Sequence, residues 1–128
     1  MALQHAAPGD CIVLERSDDD IAHFTSVALA KTDHMELIRL VVPKEKPMPE
    51  HWVEGEMTLL CLEGEIVVDQ RARSTVLRPN EMLYLAGREP HAIRANLDAV
   101  ALMTILLRPG DNAGGPVKDA AGASVTHG

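Results

Sequence analysis

Apolar positions along the chain fall in short runs, at 24–30, 35–42, 58–62, 65–68, 75–77, 82–85, 91–94 and 99–107. Between them stand "KTD", "PKEKPMPE", "EG", "DQRARS", "RPNE", "AGREP" and "ANLD", rich in the Gly, Pro, Asn and Asp that bend a backbone. Short apolar runs at this spacing predict the strands of an all-β sandwich or barrel. No long stretch repeats its apolar residues at the helical period, so an alternating strand–helix architecture is a poor fit. A short helix would suit "SDDDIAHF", where Ser17 or Asp18 offers a cap and the acids favour its N-terminal end. An exposed acidic loop suits those residues equally well.

Two segments break the pattern. "VVPKEKPMPEH" carries three prolines, each without an amide donor, and cannot be a central strand throughout. It reads as an extended, rigid connection that delivers His51 to a fixed place. After Leu107, "RPGDNAGGPVKDAAGASVTHG" holds five of the nine glycines and few large apolar residues, the composition of a disordered tail. The expected organisation is an N-terminal segment over 1–23, a barrel over 24–108 and the tail over 109–128.

Composition narrows the class. With 46% apolar residues in 128, a packed core needs neither metal nor disulfide staples. Only Phe24, Trp52 and Tyr84 are aromatic, so Val, Leu, Ile, Met and Ala must build that core. A net charge of −7 with scattered basic residues argues against a nucleic-acid partner, which requires clustered Lys and Arg. No run approaches the ~20 apolar residues of a membrane span. The start "MALQHAAPGD" lacks a cationic, apolar leader, and Cys11 and Cys61 show no zinc-type spacing; a cytoplasmic protein with reduced thiols is expected.

"PEHWVEGEMTLLCLEGEIVV" followed by "LRPNEMLYLAGREPHAI" resembles the two motifs of the small single-domain cupins, across about residues 35–107. The first motif has His-x-His, three or four residues, Glu, six residues, then Gly; Gly64 stands where it ends. The second has a turn, an aliphatic strand and a histidine after a proline-containing turn, which His91 matches. The resemblance implies a jelly-roll β-barrel of two antiparallel sheets, a homodimer, and a site inside the barrel. It also implies four metal ligands, of which only His51 and His91 remain. Val53 stands in place of the second histidine, Met57 in place of the glutamate, and Asn80-Glu81 in place of the usual Gly-Asp turn.

That loss matters chemically. Catalytic zinc and non-haem iron sites keep three protein ligands, and neither Val nor Met supplies a hard donor. Strand alternation predicts that His51 and Val53 share an inward face, and that Met57, Leu59 and Cys61 share another. Cys61 is either a third ligand or reactive thiol, or a small buried hydrophobe. Glu56 has outward parity and reaches inward only if Gly55 forms a bulge. Trp52 is expected to point outward, toward a dimer contact, and Arg39 to be an anion clamp or a solvated edge residue.

The expected function is a small-molecule-binding or sensory barrel with no strong metal site and no required cofactor. His51 and His91 would be polar anchors for an unidentified small molecule in a pocket lined by Val53, Met57, Leu59, Cys61 and Ile93. They would grip a carboxylate, phenol or carbonyl. The alternative is a metal-dependent dioxygenase or isomerase, in which His51, His91 and a substitute such as Cys61 or Glu56 hold a divalent Zn, Fe, Mn or Ni ion. A third reading is a dimeric structural barrel that binds nothing.

Overall fold

The computed structural model describes residues 5–15, 21, 23 and 25–107; the expected tail and most of the expected helix near 17–24 lie outside the described residues. Among the described residues seven strands follow in order: β1 (Val27–Lys31), β2 (Met35–Val42), β3 (Met48–His51), β4 (Met57–Gln70), β5 (Ser74–Leu77), β6 (Met82–Leu85) and β7 (His91–Leu106). All pair antiparallel, in the order β1-β2-β7-β4-β5, with β3 against β7 and β6 against β4.

The two long strands make the barrel. The first half of β4 and the second half of β7 pair with each other and carry β6 and β2. The second half of β4 and the first half of β7 also pair, and carry β5 and β3. Inward side chains from both halves, among them Leu59 and Ile66 of β4 and Ile93 and Met103 of β7, belong to a single buried cluster. The sheet therefore folds over on itself. Alternation sets which residues enter: Glu36, Ile38, Leu40 and Val42 of β2 are buried, whereas Leu37 and Arg39 are half-exposed on the other face. Arg39 donates from Nη1 to the Glu15 carbonyl (3.4 Å), on the outer side of the sheet. Each fully buried Leu, Ile, Val or Met contributes about 1.5–3 kcal/mol, and among the described residues no aromatic side chain belongs to the cluster. Trp52 and Tyr84 are exposed.

Two expected strand breaks are bends instead. "EG" near Gly64 and "ANLD" near Leu97 were natural places for a chain reversal, yet β4 and β7 run through them still paired, Glu63 to Val100 and Glu65 to Leu97. Register shifts between Cys61 and Ile66 absorb the extra residues as bulges, which bend a strand without ending it. Gly64 makes this possible. Its φ is +81°, and a Cβ there would lie 2.2 Å from the Asp98 carbonyl oxygen.

The proline-rich connection also differs from expectation, since its end, Met48–His51, forms β3. Pairing is limited to Met48 with Ile93 and His51 with His91, with a register shift between. Pro49, lacking a donor, sits inside that irregularity, as proline does on an edge strand.

Candidate functional site

β3 and β7 bring the two motif histidines face to face. His51 and His91 are cross-strand partners, and on the other side His91 pairs with Gln70 of β4. The imidazole centroids lie 4.6 Å apart with the ring planes at 58°. His91 is buried and His51 half-buried.

Both rings are held in the same way. His51 Nδ1 lies 3.1 Å from the Pro49 carbonyl oxygen, and His91 Nδ1 lies 2.8 Å from the Glu89 carbonyl oxygen. A carbonyl oxygen can only accept, so each Nδ1 carries the hydrogen and donates it. In a neutral imidazole the other nitrogen, Nε2, is then a bare acceptor. Both Nε2 atoms are buried and have no hydrogen-bond partner. Burial lowers the His91 pKa below the usual histidine value; its bond to the Glu89 carbonyl opposes this, and the nearby His51 adds to it. The ring at 91 is therefore neutral near pH 7, presenting a lone pair to the interior.

The other expected lining residues are buried in the same cluster: Val53, Met57, Leu59, Cys61 and Ile93. Ile93 follows His91 on the inward face of β7, and Met57 pairs with Leu85 and Ile105. Cys61 sits elsewhere along the wall. It pairs with Ala101, nine residues along β4 from the Gln70 that flanks His91, and its Sγ faces the Glu63 and Gly64 carbonyls at 3.5 and 3.8 Å. Burial raises its pKa, only partly offset by the Glu63 contact, and Glu81 and Glu65 push it further up, so the thiol keeps its proton. Glu56 is exposed, and its carboxylate accepts a hydrogen bond from the Tyr84 hydroxyl on the outside.

The donor set decides what the pair can hold. Among the described residues, no three of His, Cys, Asp and Glu converge where they could bind one metal ion. Two imidazoles with aliphatic and thioether neighbours do not fit a hard divalent ion, which requires a carboxylate or third imidazole. The carbonyl tether on Nδ1 is of the kind that orients metal-ligating histidines, but the remaining ligands are missing.

One buried residue went unnoticed in the sequence. Glu36 is 3% exposed and faces inward from β2, on a rung that continues through Ile105 to Met57. Its parity with Ile38, Leu40 and Val42 was the available signal, and a charged residue on the apolar face of a strand is rare enough to mark.

An open groove of about 760 Å³ lies between the loops that follow His51 and precede His91, lined by Glu54, Gly55, Glu56, Gly87 and Arg88 with His34, Leu106 and Leu107. Backbone contact builds its rim. Arg88 N donates to the Val53 carbonyl (2.7 Å), and its guanidinium Nε pairs with Glu54 at 2.9 Å. A Cβ on Gly55 would overlap the Leu106 carbonyl, and one on Gly87 the Glu54 carbonyl.

No protein-family model and no curated protein matches this chain. Solved structures do. A cupin superfamily protein from Desulfitobacterium hafniense is 24% identical, with 66% of this chain and 77% of that chain covered and a TM-score of 0.63. An RmlC-like cupin from Desulfovibrio desulfuricans is 21% identical over 83% of this chain and 97% of that one, with a TM-score of 0.60. The DMSP lyase DddQ from Ruegeria pomeroyi is 19% identical over 64% and 46%, also with a TM-score of 0.60. Together with the bent, doubly layered antiparallel sheet, these similarities show that the chain has the small cupin fold.

Proposed function

We propose that this barrel binds a small molecule, with His51 and His91 as its polar anchors. The observation that carries this reading is the pair of buried Nε2 atoms without partners, on rings whose centroids lie 4.6 Å apart. Leaving a buried acceptor unpaired costs about 1–3 kcal/mol each, a cost that selection retains where a ligand recovers it. Apolar walls with a few convergent polar groups are the usual design of small-molecule sites. Val53, Met57 and Ile93 supply the walls. The open groove at this end of the barrel is lined by the loops that follow His51 and precede His91, though by neither imidazole itself.

The lyase activity named for the Ruegeria pomeroyi neighbour is not carried over, because this likeness reaches the fold and no further. A metal-dependent reaction has less support, since Glu56 faces outward and Cys61 faces the backbone of the Gly64 bend.

A thermal-shift screen of small aromatic compounds against protein purified without a histidine tag tests the proposal. Saturable stabilisation that His51→Ala weakens is the expected result. No shift across the screen would favour an inert barrel. One equivalent of a transition metal by elemental analysis, lost in His51→Ala and His91→Ala, would favour the metalloenzyme.

A further inference from the structure

We infer that the histidine pair acts as a double hydrogen-bond acceptor, selecting an uncharged, mostly apolar molecule that presents two adjacent donors, of which a catechol is the simplest probe. This rests on the small-molecule reading above and adds the polarity of the ligand to it.

The backbone fixes that polarity. For either ring to donate from Nε2 while staying neutral, its Nδ1 would have to become a lone pair. That lone pair would then face a carbonyl oxygen at 3.1 Å for His51 or 2.8 Å for His91. Two acceptors at those distances repel, so both rings are locked in the Nδ1–H tautomer. The rings cannot satisfy each other either, because both inward nitrogens accept. With ring centroids 4.6 Å apart, both acceptors lie within reach of one small ligand that carries two donors. A carboxylate or a ketone offers only acceptors. It would require a protonated imidazole, whose charge the apolar side chains of Val53, Met57 and Ile93 cannot solvate. The carboxylates and carbonyls that the sequence alone left open are therefore disfavoured, and the phenols remain. The wall argues for the rest of the ligand: Val53, Met57 and Ile93 are apolar, and buried Glu36 stands on the same rung as Met57, so a polyol would leave most of its hydroxyls unpaired.

Recognition here should be steep, because a site built to accept from hydroxyls leaves its own groups unpaired against an analogue lacking them. The test uses the full-length protein and three probes: catechol, ortho-xylene of nearly the same shape with methyls in place of hydroxyls, and benzoate. Calorimetry should show catechol binding tighter than ortho-xylene by about tenfold or more, with benzoate weaker still, and His51→Leu should erase the gap between the first two. Nitrogen-15 spectra of the imidazoles supply a readout that needs no variant. They should show Nδ1–H tautomers on both rings before ligand is added, and a shift confined to Nε2 on adding catechol. An Nε2–H tautomer on either ring of the free protein would overturn the inference. Equal binding of catechol and ortho-xylene would overturn it too, while leaving the small-molecule reading intact. Binding of neither aromatic, or a stoichiometric metal ion on the two Nε2 atoms, would overturn both.

Discussion

The two ends of this barrel use glycine in the same way and polar groups in opposite ways. At the bend end, Gly64 lets β4 pass against Asp98; at the mouth, Gly55 and Gly87 let two loops close on Leu106 and Glu54. Around the bend the polar groups are matched. Asp98 accepts from Lys44 N at 2.8 Å, Asn80 N donates to the Cys61 carbonyl at 2.8 Å, and Cys61 N donates to the Glu81 carbonyl at 2.9 Å. At the mouth, each of two imidazoles has its Nδ1 fixed by a backbone carbonyl and its Nε2 without a partner. One end is finished as protein. The other leaves two acceptors open, which on the proposed reading a ligand fills, and mutation should change stability with opposite signs at the two ends.

The largest effect is expected at the bend. Gly64→Ala places a methyl 2.2 Å from a backbone oxygen that belongs to the paired bend of β7 and cannot swing away, at a φ of +81° that Ala avoids. The strained conformation alone costs about 1–3 kcal/mol, and relieving the overlap must shift one of two long strands. Chemical denaturation should show a loss of about 3 kcal/mol or more, or no folded protein. A loss below about 1 kcal/mol would mean that the bend yields easily, and the contrast between the ends would fail.

At the mouth the sign reverses. His91→Leu removes a buried, unpartnered acceptor and replaces it with an apolar side chain of similar size, at the loss of the bond to the Glu89 carbonyl. The ligand-free variant should be more stable than the parent by about 1 kcal/mol, because an unpaired buried acceptor costs more than one neutral hydrogen bond contributes. Catechol should no longer raise its melting temperature. A strong destabilisation would show that the Nε2 valence is already satisfied in the resting protein.

This contrast also explains what the sequence revealed. The strands at 35–42 and 82–85 and the inward positions Met57, Leu59 and Cys61 of β4 and Ile93 of β7 were legible because alternation and burial are local consequences of side-chain type. The segments near Gly64 and Leu97 divide the predicted strands yet lie within β4 and β7, since a glycine or an "ANLD" segment signals a change of direction without saying whether the neighbouring strand turns with it. Only long-range register decides that. At the second motif, Asn80 in place of glycine is less of a departure than it looked: its φ is +73°, and Asn tolerates the left-handed region. His51 and His91 could be nominated from the resemblance to the cupin motifs, but their tautomers could not, because the acceptors that set them are the carbonyls of Pro49 and Glu89.

Acidification gives a smaller effect of fixed sign. The folded-state pKa of His91 lies below the 6.5 of a free imidazole, so between that depressed value and 6.5 the unfolded chain holds a proton that the native chain lacks. Stability should be flat with respect to this group above pH 6.5 and fall as pH drops below it, until the native ring also protonates. Melting temperatures from pH 8 to 5 should show about that shape, and His91→Leu should remove this part of the acid limb. A parent protein that gains stability on acidification through this window, with the gain abolished by His91→Leu, would require a charged ring in the folded state and an anionic partner for it.

The smallest effect concerns how the mouth is held. Arg88 has a φ of +64°, a conformation that suits glycine, and its guanidinium pairs with Glu54 while remaining 69% exposed. Arg88→Gly relieves the left-handed strain and deletes an ion pair worth about 0–1 kcal/mol at such exposure. Against the relief stands the greater freedom of glycine in the unfolded chain, about 0.4–1 kcal/mol. The three contributions nearly cancel, and the melting temperature should move by no more than about 2 °C. The main-chain bond from residue 88 to the Val53 carbonyl survives the substitution, as does the close packing of Gly87 on Glu54. If that backbone clasp is what shapes the mouth, catechol affinity should change by less than about threefold, whereas His51→Leu reduces it by tenfold or more. A large loss of affinity in Arg88→Gly would move the guanidinium from the rim into the recognition of the ligand, and the mouth would then select by charge as well as by hydrogen-bond polarity.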